Sequence, residues 1–346
     1  MRVAEDGFVR AEGLAGPPLP LPPGARRRTN WVGWVLAGFV LVSCFLFVNV
    51  HDLARELRRL DPAEILVLVL ISSADRLLMG YKWALLLRIV GVDLPMPRVI
   101  RYFYQGSFTG LFLPSHIGGD ILRAWWVSRD SGVRHPVYAS LVVERLLGFA
   151  SAVSWAIAGA AVFTSYLRPQ HAILWLLAGV LGLVLANAAF AALVFPGVHA
   201  FVLRRLEGRR SRLVRLMHDF YAAFASFAAD PRQLALNWLL CLLEQGLQMF
   251  LYFGIAVSID ADVKLLPFLA ATAVFTLVLR LPIAPDGWGV GELSAIGIYG
   301  LVGLVAAQAF TVSAIGHIIP MLALAPGFLL LLGRGRDGTA GAGWRG

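Results

Sequence analysis

Residues 110–126 read "GLFLPSHIGGDILRAWW", a proline, a histidine, two glycines, an aspartate and an arginine set between runs of apolar side chains. Proline costs a helix interior about 3 kcal/mol and glycine about 1 kcal/mol, so a helix ends here. Within segment 98–130 each flanking half is about 12–17 residues long, short of the roughly 20 that cross a hydrocarbon core. Segment 265–304 repeats the design with "LPIAPDGWG" followed by "VGELSAIGIYG". Irregular backbone at membrane depth is tolerated only where protein buries it or where it lines a wet cavity. Both segments therefore read as re-entrant hairpins.

The surrounding chain supplies the membrane. Of its 346 residues 58% are hydrophobic and 15% charged, against about 25% charged in soluble domains, and the mean hydropathy is +0.73. Apolar runs place spanning helices near 31–50, 64–88, 137–166, 171–195, 233–257 and 308–333. The fold class is all-α: a polytopic membrane protein with about six spanning helices plus two re-entrant hairpins, and no room for a soluble catalytic domain. The run at 31–50 is long for a signal peptide and no small-x-small cleavage site follows it. Residues 1–30, with "GPPLPLPPGARRRTN", read as a disordered proline-rich cytoplasmic tail, and 334–346 as a flexible basic tail.

All but two of the 30 basic residues are arginine, the lysines being Lys82 and Lys264. Guanidinium suits phosphate; codon bias in a GC-rich genome explains the excess equally well. With the N-terminus in the cytoplasm and each hairpin returning to its side of entry, 20 basic residues are cytoplasmic. Only Arg55, Arg58, Arg59, Arg168 and Lys264 are external, as the positive-inside rule requires. The first hairpin then enters from the cytoplasm and the second from outside, with both termini cytoplasmic in a bacterial or archaeal cell membrane.

The same topology implies an inverted repeat of units 64–166 and 233–333. Pro114 follows Asp75 by 39 residues, and Pro282 follows Glu244 by 38. Inverted repeats with broken helices at matching positions point to a transporter's midplane site. Segment 196–231 joins the units. Leu213, Met217, Phe220, Phe224 and Phe227 fall at helical spacing beside Arg209, Arg210, Arg212 and Arg215, as in an amphipathic helix on an anionic leaflet or a solvated linker.

Charges in hydrocarbon cost about 2.5–3.5 kcal/mol each on insertion scales and usually face a bundle interior. Asp120 and Arg123, three apart, share a helix face. Asp75-Arg76 and Glu144-Arg145 are adjacent, do not face each other, and are expected to pair across helices. Lys82, Glu244, Gln245 and Arg280 are supporting buried polar groups. In "SHIGGD", Gly118 and Gly119 are expected to form a concavity of backbone N–H groups before a helix N-terminus, with Arg123 one turn on, suited to a lipid phosphate. His116 is a headgroup donor or a turn residue. Asp286, Gly287, Gly289 and Glu292 repeat the theme in the second hairpin, with Trp288 placed to pack on lipid or on the other repeat. His317 has no evident partner and reads as a buried, satisfied histidine. Cys44 and Cys241 show neither disulfide nor zinc patterning. No nucleophile elbow, P-loop, HExxH or metal cluster occurs, and "GWGVG" follows no strand. The expectation is a non-enzyme without cofactor or metal.

These motifs resemble the membrane region of the lysylphosphatidylglycerol synthase family, also called the flippase-like domain family. The family's Pro-x-x-x-Gly-Gly-Asp-x-x-Arg motif falls on Pro114, Gly118, Gly119, Asp120 and Arg123. Its acidic-Arg pair falls on Glu144 and Arg145, and its late Gly-x-Gly-x-x-Glu motif, after Pro285, on Gly287, Gly289 and Glu292. The resemblance spans roughly 31–333. Two departures stand out: Gly291 where the family usually has arginine, and Gly316-His317 where it tends to have Tyr-Arg. The resemblance implies the lipid-translocating part and gives no support for lysyl transfer.

The expected function is movement of an anionic, aminoacylated or isoprenoid-linked lipid between leaflets, through a polar pocket between the hairpins. The expected partner is membrane lipid, with a separate lipid-modifying enzyme as a second candidate and no nucleic acid. An intramembrane transferase using Asp120 or Glu144 as base, and an accessory subunit, are the competing classes. With no ATP site, transport would be downhill or ion-coupled.

Overall fold

A computed structural model describes residues 58, 60–111, 116–163, 227, 230–280 and 287–337. Nine helices and no strands occur among them: α1 (Pro62–Ile89), α2 (Met96–Gly110), α3 (His116–Ser131), α4 (His135–Phe163), α5 (Pro231–Ser258), α6 (Leu265–Leu279), α7 (Val290–Gly300), α8 (Ala306–Ala323) and α9 (Ala325–Asp337). The expected spans near 31–50 and 171–195, the tail 1–30 and most of segment 196–231 lie outside the described residues. Helix α9 continues to Asp337, into the segment read as a basic tail.

Helices α4 and α5 and the stretch Ala306–Leu332 are long and apolar enough to cross a membrane. Helix α1 is as long as α5, at 28 residues, but Asp75, Arg76 and Lys82 interrupt its apolar run. The expected single helix at 308–333 is two. Pro326 has no N–H to continue the ladder, and the chain turns at Leu324, with Gly327 N–H donating to Leu324 O at 2.8 Å.

Two units repeat. The boundaries of α1 and α2 recur 169 residues later in α5 and α6: 62 to 231, 89 to 258, 96 to 265 and 110 to 279. Both long helices start alike, with Asp61 or Asp230 capping a backbone N–H ahead of a proline. Both stop alike. Gly91 (φ 75°) and Asp260 (φ 54°) take the left-handed conformation. Val92 N–H then reaches Leu87 O and Ala261 N–H reaches Ala256 O, both at 3.0 Å. Packing follows the same exchange. Pairs α1–α2, α1–α4, α2–α3 and α3–α4 match α5–α6, α5–α8, α6–α7 and α7–α8. Between units, α4 on α6 matches α9 on α2, α4 on α5 matches α8 on α1, and α1 packs on its counterpart α5.

The short helices fold as hairpins. At the mouth of α2–α3, Asp130 accepts from Arg98 and from Tyr102, each at 3.2 Å, so both ends lie on one side. The pair closes on glycines. A Cβ built on Gly119 would stand 2.5 Å from Gly106 O and 3.0 Å from Gly110 Cα, a close approach that only small residues permit. In α6–α7 the rings of Phe268, near the start, and Tyr299, near the end, stack at 4.8 Å. Each hairpin is clasped by a helix of the other unit: a Cβ on Gly159 of α4 would stand 2.8 Å from Ala270 O, and one on Gly327 of α9 would stand 2.5 Å from Tyr104 O.

Candidate functional site

The two central residues of α1 are Asp75 and Arg76, and those of α5 are Glu244 and Gln245. Helices of this length run about 42 Å at 1.5 Å per residue, so these side chains stand far from either end.

Three polar groups are built from the helices. In the first, buried Arg123 on α3 donates to Asp120 at 3.0 Å and to Glu144 on α4 at 2.7 Å. Its guanidinium lies 4.4 Å over Trp83 and 5.1 Å from the Phe103 ring, and Trp83 is itself fixed by donating to Ser140 Oγ at 3.1 Å. Arg145 pairs with Asp120. Arg145 has 56% of its side chain exposed against 3% for Arg123, so the cluster opens on the Arg145 side. Asp120 and Arg123 pair as their i,i+3 spacing predicts, and Glu144 and Arg145 pair across helices, with Arg123 and Asp120 of α3.

In the second group, Lys82 of α1 pairs with Glu244 of α5, with Cys241 Sγ at 3.2 Å. Asn237 donates to the carbonyl of Lys82 at 2.8 Å. Arg280, ending α6, donates to Gln245 Oε1 at 2.7 Å, and Gln245 Nε2 donates to Thr276 at 2.8 Å. Lys82 stands within electrostatic reach of Glu144, and Glu244 within reach of Arg280 and Arg76, which links the first two groups. Asp75 departs from expectation: it pairs with its neighbour Arg76 at 3.3 Å, because long flexible side chains can fold back along the helix surface.

The third group lies apart. Glu292 is fully buried, accepts from the N–H of Gly289 at 2.6 Å and from Ser313 at 3.4 Å, and has His317 Nδ1 at 3.1 Å. His317 thus has a carboxylate neighbour that its spacing did not suggest, and Trp288 stacks on it at 4.7 Å. Gly287 and Gly289 take positive φ, 75° and 82°. Asp286 lies outside the described residues.

Among the described residues the two glycines of the first hairpin stand in a helix and not in a turn ahead of one. Helix α3 begins at His116, so Gly118 and Gly119 lie inside it, and Gly119 serves packing against α2. Arg123 is likewise not open to a phosphate, since two carboxylates and two aromatic rings enclose it. Among the described residues the helices of hairpins α2–α3 and α6–α7 do not pack on one another. A groove of about 270 Å³, lined by Ala63, Glu64, Val67, Leu68, Ile71, Gly254 and Ser258, lies toward the ends of α1 and α5, away from the charges. Asn237, Cys241 and Thr276 were not singled out from sequence. The signal was there: Asn237, Cys241 and Gln245 recur every four residues, one face of a helix. No group of three or more metal-ligating side chains occurs among the described residues.

A long-helix bundle with half-length hairpins and ion pairs sealed at its centre defines a multi-pass α-helical membrane protein. Residues 30–327 match the family described as the lysylphosphatidylglycerol synthase TM region, and the chain belongs to that family. It is similar to a UPF0104 membrane protein of Methanothermobacter thermautotrophicus, 19% identical over 86% of this chain and 90% of the relative. A UPF0104 membrane protein of Pyrococcus horikoshii is 20% identical over 82% of this chain and 91% of the relative.

Proposed function

We propose that the protein translocates an anionic lipid between leaflets, acting as a transporter and not as an enzyme. The observation that carries this reading is the linked set of ionised side chains at the centre of α1 and α5 and beside the first hairpin. A static bundle gains little from such groups, because buried ion pairs are often no more stable than apolar replacements. A headgroup passing the midplane needs them. It enters the polar belt while its acyl chains stay in hydrocarbon, and ion pairs exchange partners as the belt opens to either side.

In this reading α2–α3 and α6–α7 are re-entrant, and the two units are inverted. Charge supports that orientation. Arg88, Arg98, Arg101, Arg129 and Arg134 surround the mouth of α2–α3, whereas Asp260, Asp262 and Lys264 precede α6, a contrast that supports a cytoplasmic first mouth and an external second. The lipid is a phospholipid, an aminoacylated phospholipid or a polyprenyl-phosphate-linked sugar.

The test is reconstitution of the purified chain into liposomes carrying fluorescent phosphatidylglycerol, with dithionite bleaching the outer leaflet. Bleaching of the inner pool, slowed by Asp120→Asn, supports translocation. Bleaching that stops at the outer leaflet contradicts it, and a lipid of new mass would instead establish a transferase.

A further inference from the structure

Among the described cations within the membrane helices, Arg280 stands out. Arg76 has Asp75, Lys82 has Glu244, Arg123 has Asp120 and Glu144, and Arg145 has Asp120. Arg280 has no carboxylate within ion-pair distance among the described residues; its acceptor is the neutral Gln245 Oε1.

The orientation of Gln245 is fixed. Thr276 donates to Ala273 O at 3.1 Å, which leaves its oxygen to accept from Gln245 Nε2, and the amide oxygen therefore faces Arg280. The guanidinium is held in place by a neutral acceptor, with Glu244 within electrostatic reach but not in ion-pair contact. One side of it rests on α4 at Gly148, where an added Cβ would stand 3.4 Å from Arg280 Nη1. Gly148 is one turn along α4 from Arg145, whose side chain is 56% exposed. The two cations stand near enough to repel each other.

The linked cations Arg76, Lys82, Arg123, Arg145 and Arg280 outnumber the carboxylates Asp75, Asp120, Glu144 and Glu244 by one, which leaves a positive charge to be met. Planar N–H forks match phosphate oxygens in pairs. We infer that Arg280 and Arg145 together form a phosphate-binding site, positioned by Gln245 and given room by Gly148. Arg123 plays no direct part: its Nε and Nη2 are committed to carboxylates, and its side chain is only 3% exposed, with Nη1 enclosed in the packing. The proposed translocation supplies the lipid as the source of that phosphate; the site itself rests on the geometry alone.

Thermal unfolding of the full chain in an uncharged maltoside detergent tests this, with dihexanoyl phosphatidylglycerol, dihexanoylglycerol and inorganic phosphate as separate probes. The phosphatidylglycerol raises the midpoint of the parent and the phosphate-free dihexanoylglycerol does not. A rise with inorganic phosphate alone would keep the site and assign it to free phosphate. Arg280→Gln weakens the response about tenfold or more, and Arg280→Lys retains part of it. Arg145→Gln, at an exposed side chain, weakens it too and serves if Arg280→Gln does not fold. A parent that responds to no phosphate probe, or an Arg280→Gln or Arg145→Gln protein that responds like the parent, overturns the inference. Transport with a parental response in Arg280→Gln would remove the site and leave translocation standing. Binding lost in Arg280→Gln without any transport by the parent would do the reverse.

Discussion

Arg123 and Glu144 meet across α3 and α4 at 2.7 Å, beneath the Trp83 ring. Only 3% and 9% of their side chains is exposed. Neutralising one partner leaves the other buried with less compensation. Glu144→Gln is expected to lower unfolding free energy by about 3 kcal/mol, read as the midpoint of denaturant unfolding in detergent micelles. A parental midpoint would show that Glu144 does not hold Arg123.

The Lys82–Glu244 pair ties the first unit to the second. Lys82→Glu and Glu244→Lys each place like charges face to face and are expected to reduce the yield of folded protein. The double exchange restores an opposite-charge pair, and the coupling energy is expected to be about 1–3 kcal/mol in favour of the double variant. Additive losses would mean the two side chains do not interact.

The two departures from the family pattern belong to one piece of packing. A Cβ on Gly291 would stand 2.9 Å from His317 Cε1, and one on Gly316 would stand 2.1 Å from Tyr252 Cε1. Gly291→Ala is therefore expected to destabilise by about 1–3 kcal/mol, and His317→Ala in the same chain to recover part of that loss. The thermal midpoints of the four combinations give the answer.

Asp260 holds the left-handed position that Gly91 holds in the first unit. Relieving the Cβ–carbonyl conflict while accepting a freer unfolded chain gives a small net gain. Asp260→Gly is expected to stabilise by about 1 kcal/mol or less, seen as a raised thermal midpoint. A lowered midpoint would show that the aspartate side chain contributes there.

The all-helical fold and the helix ends at Gly110 and Leu279 were legible because prolines and glycines interrupt otherwise unbroken apolar runs, and those interruptions read the same without coordinates. The pairing of Asp120 with Arg123 was legible from i,i+3 spacing. Its extension to Glu144 needed the crossing of α3 and α4. The place of Gly118 and Gly119 inside α3 was not legible, because a glycine pair suits a turn and a tight helix crossing equally well, and the packing of Gly119 on Gly106 needs the hairpin. Asp61-Pro62 and Asp230-Pro231 carried the repeat more plainly than the Leu-Pro pairs did. Their 169-residue offset equals that of Asp75 to Glu244. His317 could not be paired from sequence, since its partner lies on another helix 25 residues away.

Labelling single cysteines with a membrane-impermeant maleimide tests the opposed hairpins most directly, in a background with Cys44 and Cys241 replaced by alanine. The exposed positions are Asp93 and Arg129, flanking α2–α3, and Asp262 and Val305, flanking α6–α7. Asp93→Cys and Arg129→Cys are expected to react only in inside-out vesicles, and Asp262→Cys and Val305→Cys only in intact cells. Asp93→Cys and Arg129→Cys reacting from opposite sides, or all four reacting from one side, would contradict the account.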